Sequence, residues 1–67
     1  MILFDGIHLA SDKSLAELHT AAQGLGLHYG WFQRAGRIPH YDVFGAKAKG
    51  MRINCTPREL AQRAVRQ

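Results

Sequence analysis

The sequence predicts an α/β protein: one small β-α-β-α-β-α domain over residues 1–67, with a three-stranded, mainly parallel sheet and helices packed on it. Three observations predict it. Short apolar runs stand at Ile2-Leu3-Phe4, Tyr29-Gly30-Trp31-Phe32-Gln33 and Met51-Arg52-Ile53-Asn54. Helix-start signatures follow the first and third of them, and apolar residues recur at helical spacing after each signature.

Each element has its own reason. Ile2-Leu3-Phe4 ends at Asp5-Gly6 and reads as a buried strand. Ser14-Leu15-Ala16-Glu17 is a capping box, in which the serine hydroxyl takes a free backbone amide and Glu17 reaches back. Leu15, Leu18, Ala22 and Leu25 then form one apolar stripe. Gly26 suits the left-handed position after the helix, and Leu27 packs back on it. Tyr29 to Gln33 reads as the second strand, and a strand–helix–strand unit implies a right-handed parallel crossover. Asp42 is placed to cap a short helix over 43–49, closed by Gly50. Met51 to Asn54 reads as the third strand. Thr56-Pro57-Arg58-Glu59 then opens a last helix with an N-cap, a proline at its first position and a glutamate at its third. Leu60, Ala61, Ala64 and Val65 give that helix its inner face.

Size and charge bound the function. A chain of 67 residues hides only about 60% of its unfolded surface, so self-association is the expected supplement to a small core. The single cysteine, Cys55, excludes an internal disulfide and any C-x-x-C zinc clasp. No apolar run approaches the roughly 20 residues of a membrane span, and no leader pattern opens the chain, which points to a cytoplasmic protein without a membrane partner. Residues 1–33 carry Lys13 against Asp5, Asp12 and Glu17, a net of −2. Residues 34–67 carry eight Lys and Arg against Asp42 and Glu59, a net of +6. That asymmetry favours an anionic partner, although a merely solvated basic face satisfies it too.

The densest chemistry lies between Gly30 and Asp42, which holds the only tryptophan, two arginines and the His40-Tyr41-Asp42 block. With parallel strands, the loops 5–14, 33–42 and 54–56 emerge on one sheet edge, where open α/β sheets bind ligands. They bring together Asp5, His8, Gln33, Arg34, Arg37, His40, Asp42 and Asn54, beside helix N-termini near Ser14 and Thr56 that favour anions. Trp31 and Tyr41 are the aromatics available to stack on a base. Arg34 and Arg37 flank a glycine turn and suit a phosphate clamp. His40 and Asp42 suit one proton-transfer or metal site, or equally a loop hydrogen bond and a helix cap. His19 fits a helix flank and His28 a solvated cap; Cys55 before an N-cap lacks an assured partner histidine and is not a candidate nucleophile.

Ser14-x-x-Glu17-Leu18-His19 with Leu25-Gly26-Leu27, then Trp31-Phe32-Gln33, then His40-Tyr41-Asp42, resembles a family of short bacterial and phage proteins known as domain of unknown function 4031. The resemblance spans roughly residues 2–62. The family commonly has a second acidic residue where this chain has Gly6, and a longer helix after His-Tyr-Asp. It implies a fold and a set of site residues, and no activity.

Three functions follow. The first is a homo-oligomeric binding protein for a small nucleotide-like anion, with phosphate on Arg34 and Arg37 and the base on Trp31 or Tyr41. The second is a hydrolase or nuclease acting through Asp5, His40 and Asp42, the one reading that calls for a divalent metal; no other cofactor is expected. The third is a basic nucleic-acid or protein-interaction module presenting Arg58, Arg63 and Arg66.

Overall fold

The structure is a computed structural model that describes residues 1–34 and 36–66. Within these residues the sheet has four strands in the order β1-β2-β4-β3, and every pairing is antiparallel. The strands are β1 (Ile2–Phe4), β2 (His8–Ser11), β3 (Phe32–Gln33) and β4 (His40–Asp42). Three short helices accompany them: α1 (Leu15–Gly24), α2 (Gly45–Lys49) and α3 (Pro57–Arg63). The expected three-stranded, mainly parallel β-α-β-α-β-α sheet is therefore overturned.

The reason begins at Asp5-Gly6. Gly6 takes φ +106°, a conformation that favours glycine, and the Asp5 carboxylate accepts the backbone N–H groups of Ile7 and His8 at 2.9 and 2.7 Å. The chain reverses at once, so Phe4 pairs with Leu9 and Leu3 with Ala10. The segment expected to be a loop into α1 is thus half strand. An Asp-Gly step between apolar runs is a hairpin signal, and it outweighs the crossover reading here.

A second reversal lies between β3 and β4. The expected strand 29–33 begins instead as a 3₁₀ turn, Tyr29–Trp31, capped by the His28 ring, whose Nδ1 accepts the Gly30 N–H at 2.9 Å. Only Phe32 and Gln33 remain extended. They pair with Tyr41 and His40, while His8 and Leu9 pair with Asp42 and Tyr41 on the other side of β4. Residue 35 of the expected loop lies outside the described residues. Asp42 is a strand residue rather than a helix cap, and α2 starts three residues later from Phe44 without a side-chain cap. Residues 51–54 form no strand. Asn54 instead seals the outer edge of β1: its Oδ1 accepts the Phe4 N–H at 2.8 Å, its Nδ2 donates to the Ile2 carbonyl at 2.8 Å, and its backbone N–H reaches the Phe4 carbonyl at 3.0 Å. Asn54→Ala is expected to lower stability by about 1–2 kcal/mol in urea denaturation; an unchanged midpoint would mean that water replaces the amide fully.

Both longer helices begin where their caps predict, although the capping box expected at Ser14 is only half made, because the Ser14 N–H goes to the Ser11 hydroxyl instead of Glu17. The Ser14 hydroxyl accepts the Glu17 N–H, while the Glu17 carboxylate turns away to the Ser11 hydroxyl at 2.6 Å. Gly26, at φ +75°, and Leu27 donate to the carbonyls of Gln23 and Ala22, closing α1 with a Schellman motif. Thr56, Pro57 and Glu59 open α3 as expected, with Glu59 also reaching back to the Thr56 N–H to complete a capping box, but the helix stops at Arg63, so Ala64 and Val65 lie beyond its inner face.

Strand alternation divides the core in two. Phe4, Leu9 and Tyr41 point to one face, where Leu18, Ala22 and Leu27 cover them. Leu3 and Ala10 point to the other, under Leu60, Ala64 and Cys55 of the α3 region. Burial raises the Cys55 thiol above its usual pKa, with the Asp5 and Glu59 carboxylates adding to the effect. The native thiol is expected to react far more slowly with a disulfide reagent than the denatured chain, and equal rates would contradict its burial.

Candidate functional site

The α3 face of the sheet collects the chemistry. His8 of β2 and Asp42 of β4 are direct cross-strand partners, and His40 lies two residues before Asp42, so all three side chains leave the same face. Asp5, two residues past the buried Leu3, joins them from the turn. The His8 and His40 rings meet edge to face with centroids 5.0 Å apart.

Asp5 is the fixed point. Its side chain is only 2% exposed, and besides the two turn amides its Oδ2 lies 2.9 Å from His8 Nδ1. Burial alone would raise this carboxyl's pKa, but the hydrogen bonds from the His8 amide, the His8 ring and the Ile7 amide outweigh it and hold the pKa below the usual value. An ionised carboxylate only accepts, so His8 Nδ1 carries a proton, and in the neutral ring Nε2 then keeps its lone pair. His40 is set the same way by a different group: its Nδ1 lies 2.8 Å from the Ile38 carbonyl oxygen, which also only accepts. His40 Nε2 then faces Asp42 Oδ1 at 3.3 Å.

Beside these groups lies an open cleft of about 550 Å³ between the sheet and α3. Asp5, His8 and His40 form its polar end, while Ile38, Pro57, Leu60 and Ala61 form an apolar wall. Arg37, Gln62 and Arg66 stand along it, so a ligand there meets two guanidinium-bearing residues.

The structure thus brings together Asp5, His8, Arg37, His40 and Asp42, by strand pairing rather than by a shared parallel edge. Gln33 pairs with His40 across β3 and β4 on the same face and is exposed. The other candidates are elsewhere. Tyr41 is 2% exposed in the α1-side core, with its hydroxyl 2.7 Å from His19 Nδ1, and burial followed by the neighbouring Tyr29 raises its pKa. Trp31 packs against that same core and edges onto Phe44. Arg34 lies 5.9 Å from the centre of the Phe32 ring. Asn54 is committed to β1. Neither Trp31 nor Tyr41 can stack on a ligand in this cleft. The helix N-termini at Ser14 and Thr56 are closed by their own side chains.

The sequence does not point to Gln62 or the apolar wall, because the signals of α3 are a core stripe and positive charge, and neither marks the cleft. Ala61, expected to face inward, is instead exposed along the cleft. Of the basic residues expected on one surface, Arg63 is paired with Asp12 at 3.4 Å and Arg66 donates to the Ala61 carbonyl at 2.8 Å.

The fold and site define a small α/β protein with an antiparallel sheet and a histidine–carboxylate cluster beside an arginine-lined cleft. The chain belongs to the family described as Protein of unknown function (DUF4031), whose profile matches residues 6–66. Neither the curated proteins nor the solved structures give a match. No helix among the described residues is long and apolar enough to cross a membrane.

Proposed function

We propose that the protein binds a small organic anion of the nucleotide class in the cleft between the sheet and α3. The observation that carries this reading is the cleft itself: one open space joins Arg37 and Arg66 to the imidazoles of His8 and His40 along an aliphatic wall. Phosphate meets the guanidinium groups, which suit it through paired N–H donors. The base or another apolar portion lies against Ile38, Pro57 and Leu60, taking the role first expected of Trp31 and Tyr41. Exposed Ile7, Phe44 and Ile53 are compatible with a homo-oligomer, which the same experiment reads.

Native mass spectrometry of freshly purified, tag-free protein tests the proposal, followed by calorimetric titration with AMP. A carried anion or saturable AMP binding is expected, with Arg37→Ala weakening it at least about 10-fold, equivalent to about 1.4 kcal/mol. A bare chain that also takes up no AMP would overturn the reading. Persistent binding by the Arg37→Ala, Arg66→Ala double variant would equally count against this cleft.

A further inference from the structure

We infer that His8, His40 and Asp42 form a binding site for one divalent late first-row transition ion of the Zn²⁺ class. The cleft above serves only as the ion's route of access, and the site stands apart from the organic anion. One ligand atom from each of the three residues can be chosen so that all lie within 4.8 Å of one another.

What makes this more than a chance cluster is the hydrogen bonding behind it. Asp5 and the Ile38 carbonyl occupy Nδ1 of His8 and of His40, so that in the neutral form of each ring Nε2 is the nitrogen left for a metal ion. With Nδ1 committed to the Ile38 carbonyl, the neutral form of the His40 ring turns its Nε2 lone pair toward a carboxylate oxygen at 3.3 Å, so that two acceptors face each other. A positive centre relieves it. A proton on His40 would serve that one pair, whereas a metal ion satisfies His8 as well. A carboxylate or carbonyl behind each metal-bound imidazole is the usual outer arrangement of such sites, fixing ring orientation and strengthening the donor.

The geometry needs little change. Tetrahedral zinc, with bonds near 2.1 Å, spaces its ligand atoms about 3.4 Å apart. The His40–Asp42 pair already has that spacing. His8, whose side chain is 39% exposed, has room to close the rest. Two nitrogens and one oxygen select zinc-like ions over Mg²⁺ and Ca²⁺, which take oxygen ligands. Three protein ligands leave a coordination position open, and His8 and His40 both border the cleft.

The test is titration of the tag-free, full-length chain with Zn²⁺ alone, with Co²⁺ as a coloured reporter. One ion per chain is expected, with Mg²⁺ in excess failing to displace it. His8→Ala and the near-isosteric Asp42→Asn should each weaken uptake more than 100-fold, beyond the roughly 10–100-fold of an outer-residue change. Circular dichroism verifies that each variant is folded, and His28→Ala, outside the cluster, should bind as the parent does. No saturable uptake, or one-to-one uptake that survives in both ligand variants, would overturn the inference. One-to-one uptake by a protein with no affinity for AMP would support it and overturn only the organic-anion reading.

Discussion

Leu18→Ala is expected to cost about 2–5 kcal/mol of stability, the range for emptying a buried leucine site. For 67 residues the whole stability is about 3–10 kcal/mol, so the variant should be marginal or unfolded at room temperature. Leu18 is fully buried and sits among Phe4, Leu9, Ala22, Leu27, Tyr41 and Val43. It is the residue by which α1 closes one face of the sheet, and no disulfide supports the chain if that contact is lost. Urea denaturation followed by circular dichroism measures the change. A loss below about 1 kcal/mol would mean that α1 does not depend on this face for its docking.

Asp5→Ala is the second large effect, because one side chain serves both the fold and the site. Its carboxylate takes the Ile7 and His8 amides that turn β1 into β2, and it also holds the His8 ring. Losing these bonds to a charged acceptor should cost about 2–4 kcal/mol, and the hairpin should loosen first. Asp5→Asn separates the two roles. Its amide oxygen can still accept both turn amides, so most of the stability should remain. Its NH₂ group, however, would face His8 Nδ1 and donate to it, moving the ring proton to Nε2, the nitrogen the proposed site needs as a ligand. Zn²⁺ affinity should fall about 10–100-fold while the fold persists. Equal Zn²⁺ affinity in Asp5→Asn and the parent would remove Asp5 from the positioning role.

The legible parts of the sequence were those whose physics is local. Ser14, Gly26 and Thr56-Pro57 act on amides and carbonyls a few residues away, so the starts of both longer helices and the end of α1 could be read directly. Strand partnership was not local. Ile2-Leu3-Phe4 shows that a strand exists but not which neighbour it takes, and a serviceable helix at 15–24 made a parallel crossover the natural expectation. The decisive signal was the Asp5-Gly6 reversal, easily read as a plain strand end. Five of the candidate residues still lie together in the antiparallel topology: pairing of β2 with β4 puts His8, His40 and Asp42 on one face, Asp5 joins them from the turn, and Arg37 borders the same cleft. Tyr41 is not among them, because strand alternation sends it opposite to His40 and Asp42, and Trp31 packs on the same core as Tyr41. The cleft's second wall was invisible because it depends on where α3 docks.

The account rests most directly on the orientation of two imidazoles, and ¹⁵N-detected histidine ring spectra measure it. In the alkaline range where the rings are neutral, His8 and His40 are predicted to carry their protons on Nδ1. His28, whose Nδ1 accepts the Gly30 amide, should carry its proton on Nε2 and serves as an internal contrast. Added Zn²⁺ should shift the Nε2 resonances of His8 and His40 together and leave those of His28 in place. An Nε2–H proton on either neutral ring in the metal-free protein would contradict this orientation, since that ring would then have no Nε2 lone pair to offer a metal ion.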